Sequence, residues 1–407
     1  MHPAPTATLA DTYDEAEFWS DILRVTNGDT SPELARLMIN NSSGLLQWLV
    51  DQGVYFQPSL SGTLSLERTN AFFLGGGCAL MNTLYRVAES AGVEVFYDAE
   101  VTDLQIEAGS FVSADVAVAG NTQRISASAL IAASGGFQAN LAWLQHAWGP
   151  AAENFIVRGT PYNDGKLLRL LTDKGIHTIG DPAQCHAIAV DARAPKFDGG
   201  IVSRLDCVPL SIVVNTTARR FYDEGEDFWP RRYAIWGRLI AQQPDGIAFS
   251  IYDAKVAEAF MPTAYPPFKA GSIEALAGAL DLPDGQLVAE VEAYNRSVVP
   301  GSFDAQSLDD CHTEQLPISK SHWAQTIDEP PFYGYPLRTG ITFTYLGVKV
   351  DATARVIAQD GDSSPNIFAA GEIMAGNILG QGYCAGTGMT IGGVFGRIAG
   401  DQAACLR

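Results

Sequence analysis

Basic residues are scarce in this sequence. Lys and Arg total 26 against 46 Asp and Glu, a formal net charge of −20 and a sequence pI near 4.6. Nucleic acid and anionic membrane surfaces, which attract positive charge, are therefore disfavoured partners. A small anionic substrate stays compatible only where arginines converge locally. Cysteine is sparse too: the six, at 78, 185, 207, 311, 384 and 405, make no C-x-x-C and no metal spacing. They read as reduced thiols of a cytoplasmic chain. The six histidines form no zinc motif, so no metal site is expected. No apolar run approaches the ~18 residues of a spanning helix, and no membrane span is predicted. Met1–Ala10 lacks both a basic region and an apolar run, which argues against a secretory leader.

What is present is a chain of 407 residues, 47% hydrophobic, enough for a large core and two domains. Its organising stretch is 365–396. Asn366–Ala370 reads as a buried strand, followed by Gly371-Glu372, a glycine-rich passage and a helix from about Ala385. A strand passing through glycines into a helix N-terminus suits an electron-rich ligand, because free N–H groups and the positive dipole end face it. Gly380, Gly382, Gly386 and Gly388 would let backbone approach a flat ring; plain helix packing is the alternative reading. Gly380-x-Gly382-x-x-Ala385 fits G-x-G-x-x-G/A, but that fingerprint needs a second strand and an acidic residue about 20 residues on. The sequence to Arg407 supplies neither.

Earlier in the chain, 1–12 is polar and Pro/Ala-rich, and Tyr13–Val25 has helical spacing. Ser31-Pro32 starts a second helix, with Leu34, Leu37, Met38, Leu45, Leu46, Trp48 and Leu49 facing inward and Gly53 ending it. Gly75-Gly76-Gly77 leads into an amphipathic helix to about Ala91 and a strand, Val93–Tyr97. Strands follow from Ala99 to Val118, then a buried parallel strand at Ala129–Gly136. Asn163-Asp164-Gly165 opens a helix to Lys174, with Asp164 serviceable as an ordinary N-cap. From about His177 to Pro336 the sequence turns Pro-rich, aromatic and irregular, and 330–336 reads as a return hinge.

The Ala370-Gly371-Glu372 turn with its glycine-rich helix entry resembles the C-terminal flavin segment of the fumarate reductase/succinate dehydrogenase flavoprotein superfamily. Within it, Gly382-Tyr383-x-Ala385-Gly386-x-Gly388 and Gly340–Gly347 look most like the FAD-dependent tricarballylate dehydrogenases. The resemblance implies an α/β fold: an incomplete Rossmann-like FAD-binding domain (1–176 and 336–407) with an inserted α+β capping domain (177–335). It is incomplete because the family opens with strand, G-x-G-x-x-G, helix and acidic strand end, and that βαβ unit is missing here. The cofactor implied is FAD. Its contacts would come from Gly76 and Gly77, where a helix-entry turn is the equal alternative and Cys78 stands in place of an expected lysine. Further contacts would be Val101 at the adenine, Ser134, Gly135 and Gly136 (with Ser for the family's Thr), and Asp164. Gly371, Glu372, Ala385, Gly386, Gly388 and Met389 complete the set.

Arg219-Arg220-Phe221-Tyr222-Asp223-Glu224 is similar to the superfamily's Gly-x-Arg-Phe-x-x-Glu block. The arginine that follows it and exchanges a proton with substrate falls on Arg231, with Arg232 as the alternative. Surface ion pairs are the plainer reading of both, and an arginine's unperturbed pKa above 12 opposes the role. His186 sits where the family binds substrate, though a lone histidine is more often structural. Arg204, beside Asp206, and Arg338 are candidate carboxylate clamps, because guanidinium binds carboxylate bidentately. Two positions depart from the fumarate reductases: Phe343 replaces a histidine and Tyr383 an arginine. A fumarate-type clamp is thus disfavoured. Tyr383 becomes a proton acceptor or oxyanion donor, as in ketosteroid dehydrogenases, while Thr344 and Tyr345 are weaker substrate contacts. The implied reaction is oxidation of a tricarboxylate CH–CH unit, tricarballylate to cis-aconitate, with electrons leaving to a separate redox protein. Two alternatives stand: a non-catalytic fragment unable to hold FAD, and an enzyme of the ketosteroid dehydrogenase or fumarate reductase type.

Overall fold

The computed structural model describes residues 13–59, 62–197 and 203–406; the polar opening at 1–12 lies outside them. Helix α1, Glu15–Thr26, begins where the Asp14 carboxylate accepts from Glu17 N at 2.8 Å. Helix α2, Pro32–Asp51, starts as its sequence dictates, with Ser31 as N-cap and Pro32 in the first turn. It buries Leu34, Met38, Leu45 and Leu49, while Leu37, Leu46 and Trp48 are half-buried. Helix α3, Gly76–Ser90, is entered through left-handed Gly75. Its apolar face is unevenly covered: Leu80 is buried, but Met81 and Tyr85 are exposed.

Three strands, β1 (Ala99–Glu107), β2 (Ser110–Val118) and β3 (Asn121–Ser126), form an antiparallel meander. Strand β4, Leu130–Ala132, lies parallel to the strand at Ser363–Ala369, with Phe368 opposite Ile131. The expected burial is only half realised. Ala132 is buried and Ile131 is exposed, because β4 has one partner among the described residues. The strand expected at Val93–Tyr97 does not form: no ladder partner is present among the described residues, and Val93, Phe96 and Tyr97 are exposed. Extended backbone becomes a strand only when its N–H and C=O groups find a neighbour.

The largest sheet gathers β5 (Ile156–Val157), β6 (Cys185–Asp191), β7 (Ile212–Asn215), β8 (Ile247–Tyr252) and β9 (Phe268–Ala270) around β10, Phe332–Thr344. β10 is 13 residues long and almost continuously buried. Its first half pairs with β8 and β9, its second half with β6 and β5. It therefore runs unbroken through 332–336, where the sequence suggests a hinge. On one side a separate apolar core forms, including Ile212, Phe249, Ile251, Tyr294 and Phe332. Helices α4 (Ile273–Ala279) and α5 (Asp284–Ser297) contribute Leu276 and Val291 to it. The main core joins the rest of the molecule, including β11 (Arg355–Ile357), β12 (Ser363–Ala369) and the closing helix α6, Thr387–Ala404.

Candidate active site

A one-residue irregularity in β10 builds the centre of the site. Ile341 stands opposite Ala187 and Phe343 opposite His186, so Thr342 is the extra residue of a bulge. Such a bulge bends its strand and re-aims the neighbouring side chains. Phe343 is thereby stacked on His186 with ring centroids 5.3 Å apart. Tyr383, from the segment before α6, closes over the same imidazole at 4.1 Å. Tyr233 meets the imidazole edge-on with centroids 5.5 Å apart, its hydroxyl 3.2 Å from His186 Nε2. The Tyr383 hydroxyl accepts from Gly388 N at 2.9 Å, in the first turn of α6. Tyr345 is fully enclosed, its hydroxyl donating to Gly382 O.

Charge surrounds this aromatic cluster unevenly. Burial, then the guanidinium groups of Arg158 and Arg204, hold His186 well below its ordinary pKa, so the imidazole is neutral at pH 7. Its Nδ1 is buried and finds no partner among the described residues. Arg204 lies 5.5 Å over the Tyr233 ring and forks onto Asp206, with Nη2 at 2.6 Å and Nε at 3.1 Å. The other Asp206 oxygen accepts from Trp229 Nε1 at 2.7 Å. Arg158 follows β5, crosses Gly340 and donates to Thr342 Oγ1 at 3.2 Å. Burial raises the Tyr383 pKa, and the Gly388 N–H and Arg158 pull against that shift without reversing it.

The structure therefore brings His186, Arg204 and Tyr383 together, with Thr344 and Tyr345 one and two positions beyond Phe343. Arg338 lies further back on β10. Its Nε is buried without an acceptor among the described residues, and its charge bears on Lys196. Arg231 and Arg232 sit in another network. Arg231 bonds Asp21 at 2.7 Å and Asp227 at 2.6 Å. Burial opposes its charge, but those two carboxylates outweigh burial and raise its pKa further above the ordinary value. Arg232 pairs with Glu226 at 2.6 Å. No hydrogen bond, ion pair or ring contact joins either arginine to His186 or Tyr383 among the described residues. Sequence reasoning passed over Arg158 and Tyr233. The only signal for Arg158 was its position directly after the buried pair Ile156-Val157, and Tyr233 stood unassigned beside Arg232.

The residues expected at a flavin fall into three groups. Gly386 (φ +93°), Thr387, Gly388 and Met389 form the entry of α6, where Met389 is exposed and Ala385 is buried beneath. Gly371 and Glu372 follow β12, and Ser134, Gly135 and Gly136 follow β4. The Glu372 carboxylate turns inward to accept from Thr344 N at 3.0 Å and Gln138 Nε2 at 3.1 Å. Burial nevertheless raises its pKa to about 7. Gly136 is pressed against Thr344 Oγ1 and Glu372, leaving no space for a Cβ. Gly76 and Gly77 are exposed with open space beside them. Val101 is half-buried in β1; Asp164 accepts from Lys166 N at 3.1 Å, but the N-cap position itself is left-handed Gly165, not the Asp164 that the sequence suggests. The set fits a flavin ring on one observation above all: Thr387 Oγ1 is buried without a partner among the described residues, at the positive end of an 18-residue helix. No group of three or more metal-ligating side chains occurs among the described residues.

Comparison with known proteins agrees. The chain is 25% identical over 398 residues to the NADH:fumarate oxidoreductase of Klebsiella pneumoniae (strain 342), covering 95% of this chain and 40% of that protein. It thus spans well under half of that relative. The open conformation of a flavocytochrome c3 fumarate reductase superposes with a TM-score of 0.71 at 21% identity, over 97% of this chain and 68% of that one. A 3-ketosteroid-Δ4-(5α)-dehydrogenase from Rhodococcus jostii RHA1 gives 0.70 at 21% identity, over 98% and 86%. These likenesses establish a mixed α/β flavoprotein fold. Residues 3–391 match the family described as FAD binding domain, and the chain belongs to that family, among the fumarate reductase/succinate dehydrogenase flavoproteins.

Proposed function

We propose that this chain carries the reaction centre of an FAD-dependent oxidoreductase working on the C–C bond next to a carboxylate. The supporting observation is that two guanidinium groups, of Arg158 and Arg204, bear on enclosed His186, and Arg158 also on Tyr383. An uncharged steroid has no use for either, although the aromatic enclosure suits that alternative. Bound FAD would supply the electron pair; the α6 entry from Gly386 to Met389 and the turns at Gly371 and Gly135 would hold it. Arg158 and Arg204 would hold the carboxylates by charged hydrogen bonds, Arg204 through the Nη1 side that its fork onto Asp206 leaves over. Neutral His186 would donate to, or accept from, the same group without adding charge. Tyr383 keeps its proton at neutral pH and has its oxygen anchored by Gly388 N, so the phenol O–H is free to point at substrate. That arrangement suits giving a proton to an alkene carbon, the reductive direction of the tricarballylate and cis-aconitate couple. Oxidation of tricarballylate by the same residues would be favoured at higher pH.

The test uses the chain reconstituted with FAD, whose retention through gel filtration is read by visible absorbance. Reduction of cis-aconitate is then compared with fumarate and a 3-ketosteroid, using an artificial reduced dye as electron donor. Tyr383→Phe should lower kcat about 100-fold, the low end of general-acid contributions, with flavin retained. A Tyr383→Phe protein of wild-type rate, or turnover of the steroid alone, would sink the assignment. A chain that ignores FAD would support the non-catalytic alternative.

A further inference from the structure

A second basic site lies apart from the aromatic centre, in a cavity of about 360 Å³ between α1, residues 381–382 and the segment 222–242. Its volume lies within the roughly 300–1,000 Å³ of small-ligand pockets. Arg24, Arg232 and Arg238 line it, together with the amides of Asn27, Gln242 and Gln381. The Nε atoms of Arg232 and Arg238 are buried and find no acceptor among the described residues. Existing bonds use only part of each fork. Arg24 Nε pairs with Asp227 at 2.7 Å, Arg232 Nη2 with Glu226 at 2.6 Å, and Arg238 Nη1 donates to Gln184. Counting Arg231 with its partner Asp21, four guanidinium groups face three carboxylates, Asp21, Glu226 and Asp227. The pocket lining itself holds three guanidinium groups and no carboxylate, in a chain of net charge −20.

Buried guanidinium donors without acceptors are costly unless something accepts from them. A planar carboxylate matches their geometry better than any neutral group does. We propose that this cavity binds a small polycarboxylate, separately from the reaction centre. The ligand bridges the end of α1 and the Gln381-Gly382 turn on one side to Arg232 and Arg238 on the other. It therefore ties the capping segment to the frame immediately behind Tyr383.

The test is calorimetric titration of the full chain with citrate, and separately with inorganic phosphate, at low ionic strength. Citrate should saturate a site that persists in Arg158→Gln and raise the thermal midpoint, with phosphate at least ten-fold weaker at that site. The double variant Arg232→Gln/Arg238→Gln should weaken citrate ten-fold or more, since charged hydrogen bonds are lost. Arg158→Gln, at the reaction centre, should leave this binding unchanged. Hydrogen exchange locates the ligand independently of any variant's folding: citrate should protect 222–242. Citrate binding that is lost in Arg158→Gln but kept in the double variant, phosphate binding as tight as citrate, or no saturable binding, overturns the proposal.

Discussion

Glu372 shows how one residue couples site and stability. Its carboxylate is enclosed by backbone and amide donors, yet burial dominates and lifts its pKa from 4.5 to about 7. An acid whose folded pKa is raised binds its proton more tightly when folded, so its stabilising effect is complete below about pH 4.5. That effect fades as pH rises towards 7 and is absent above. The swing is on the order of 3 kcal/mol. Glu372→Gln should therefore flatten this part of the stability–pH curve between pH 5 and 7, measured by urea unfolding at several pH values. An unchanged slope would show that another group titrates there. The residue was legible in sequence as part of Ala370-Gly371-Glu372, but its inward turn was not. That depends on Thr344, Gln138 and Asn163, which reach it from 28, 234 and 209 residues away.

At the scale of elements, the first turn of α6 is where packing and chemistry meet. A Cβ on Gly388 would lie 3.1 Å from Tyr383 Oη and 3.3 Å from Phe343 Cε1. Gly388→Ala should push the phenol off its anchor by a few tenths of an ångström. Turnover should fall roughly ten-fold, since positioning errors of this kind are expensive in rate, while the thermal midpoint barely moves. Equal losses of rate and stability would mean that the glycine serves packing alone. Helix starts were readable here: Ser31-Pro32 opens α2 with the cap its sequence predicts, and a helix follows Asn163-Asp164-Gly165, although Gly165 and not Asp164 stands at its N-cap. The Val93–Tyr97 strand failed because a strand, unlike a capped helix, is decided by a neighbour. Arg158 was invisible for the same reason. Its place beside His186 comes from β5 and β6 both pairing with β10, and no local pattern announces that convergence.

For the whole molecule, net charge sets the approach of substrate. With a net charge of −20, the chain would repel the proposed tricarboxylate until it reached the arginines. Raising salt from about 0.01 to 0.1 M shortens the screening length from roughly 30 to 10 Å. The KM for cis-aconitate should therefore fall over that range, whereas an uncharged substrate's KM should not move. A KM that rises with salt would mean that attraction by the local arginines governs capture instead.

β10 belongs to both apolar cores, with Phe332 in one and Ile341 and Phe343 in the other. At about 3.3 Å per residue, its 13 residues form a beam of roughly 43 Å. A beam clamped at both ends transmits load rather than absorbing it. Any relative motion of the two cores must be taken up by the loops that flank the shared strand. The bulge at Thr342 breaks the register of that beam one residue from the ring stacked on His186.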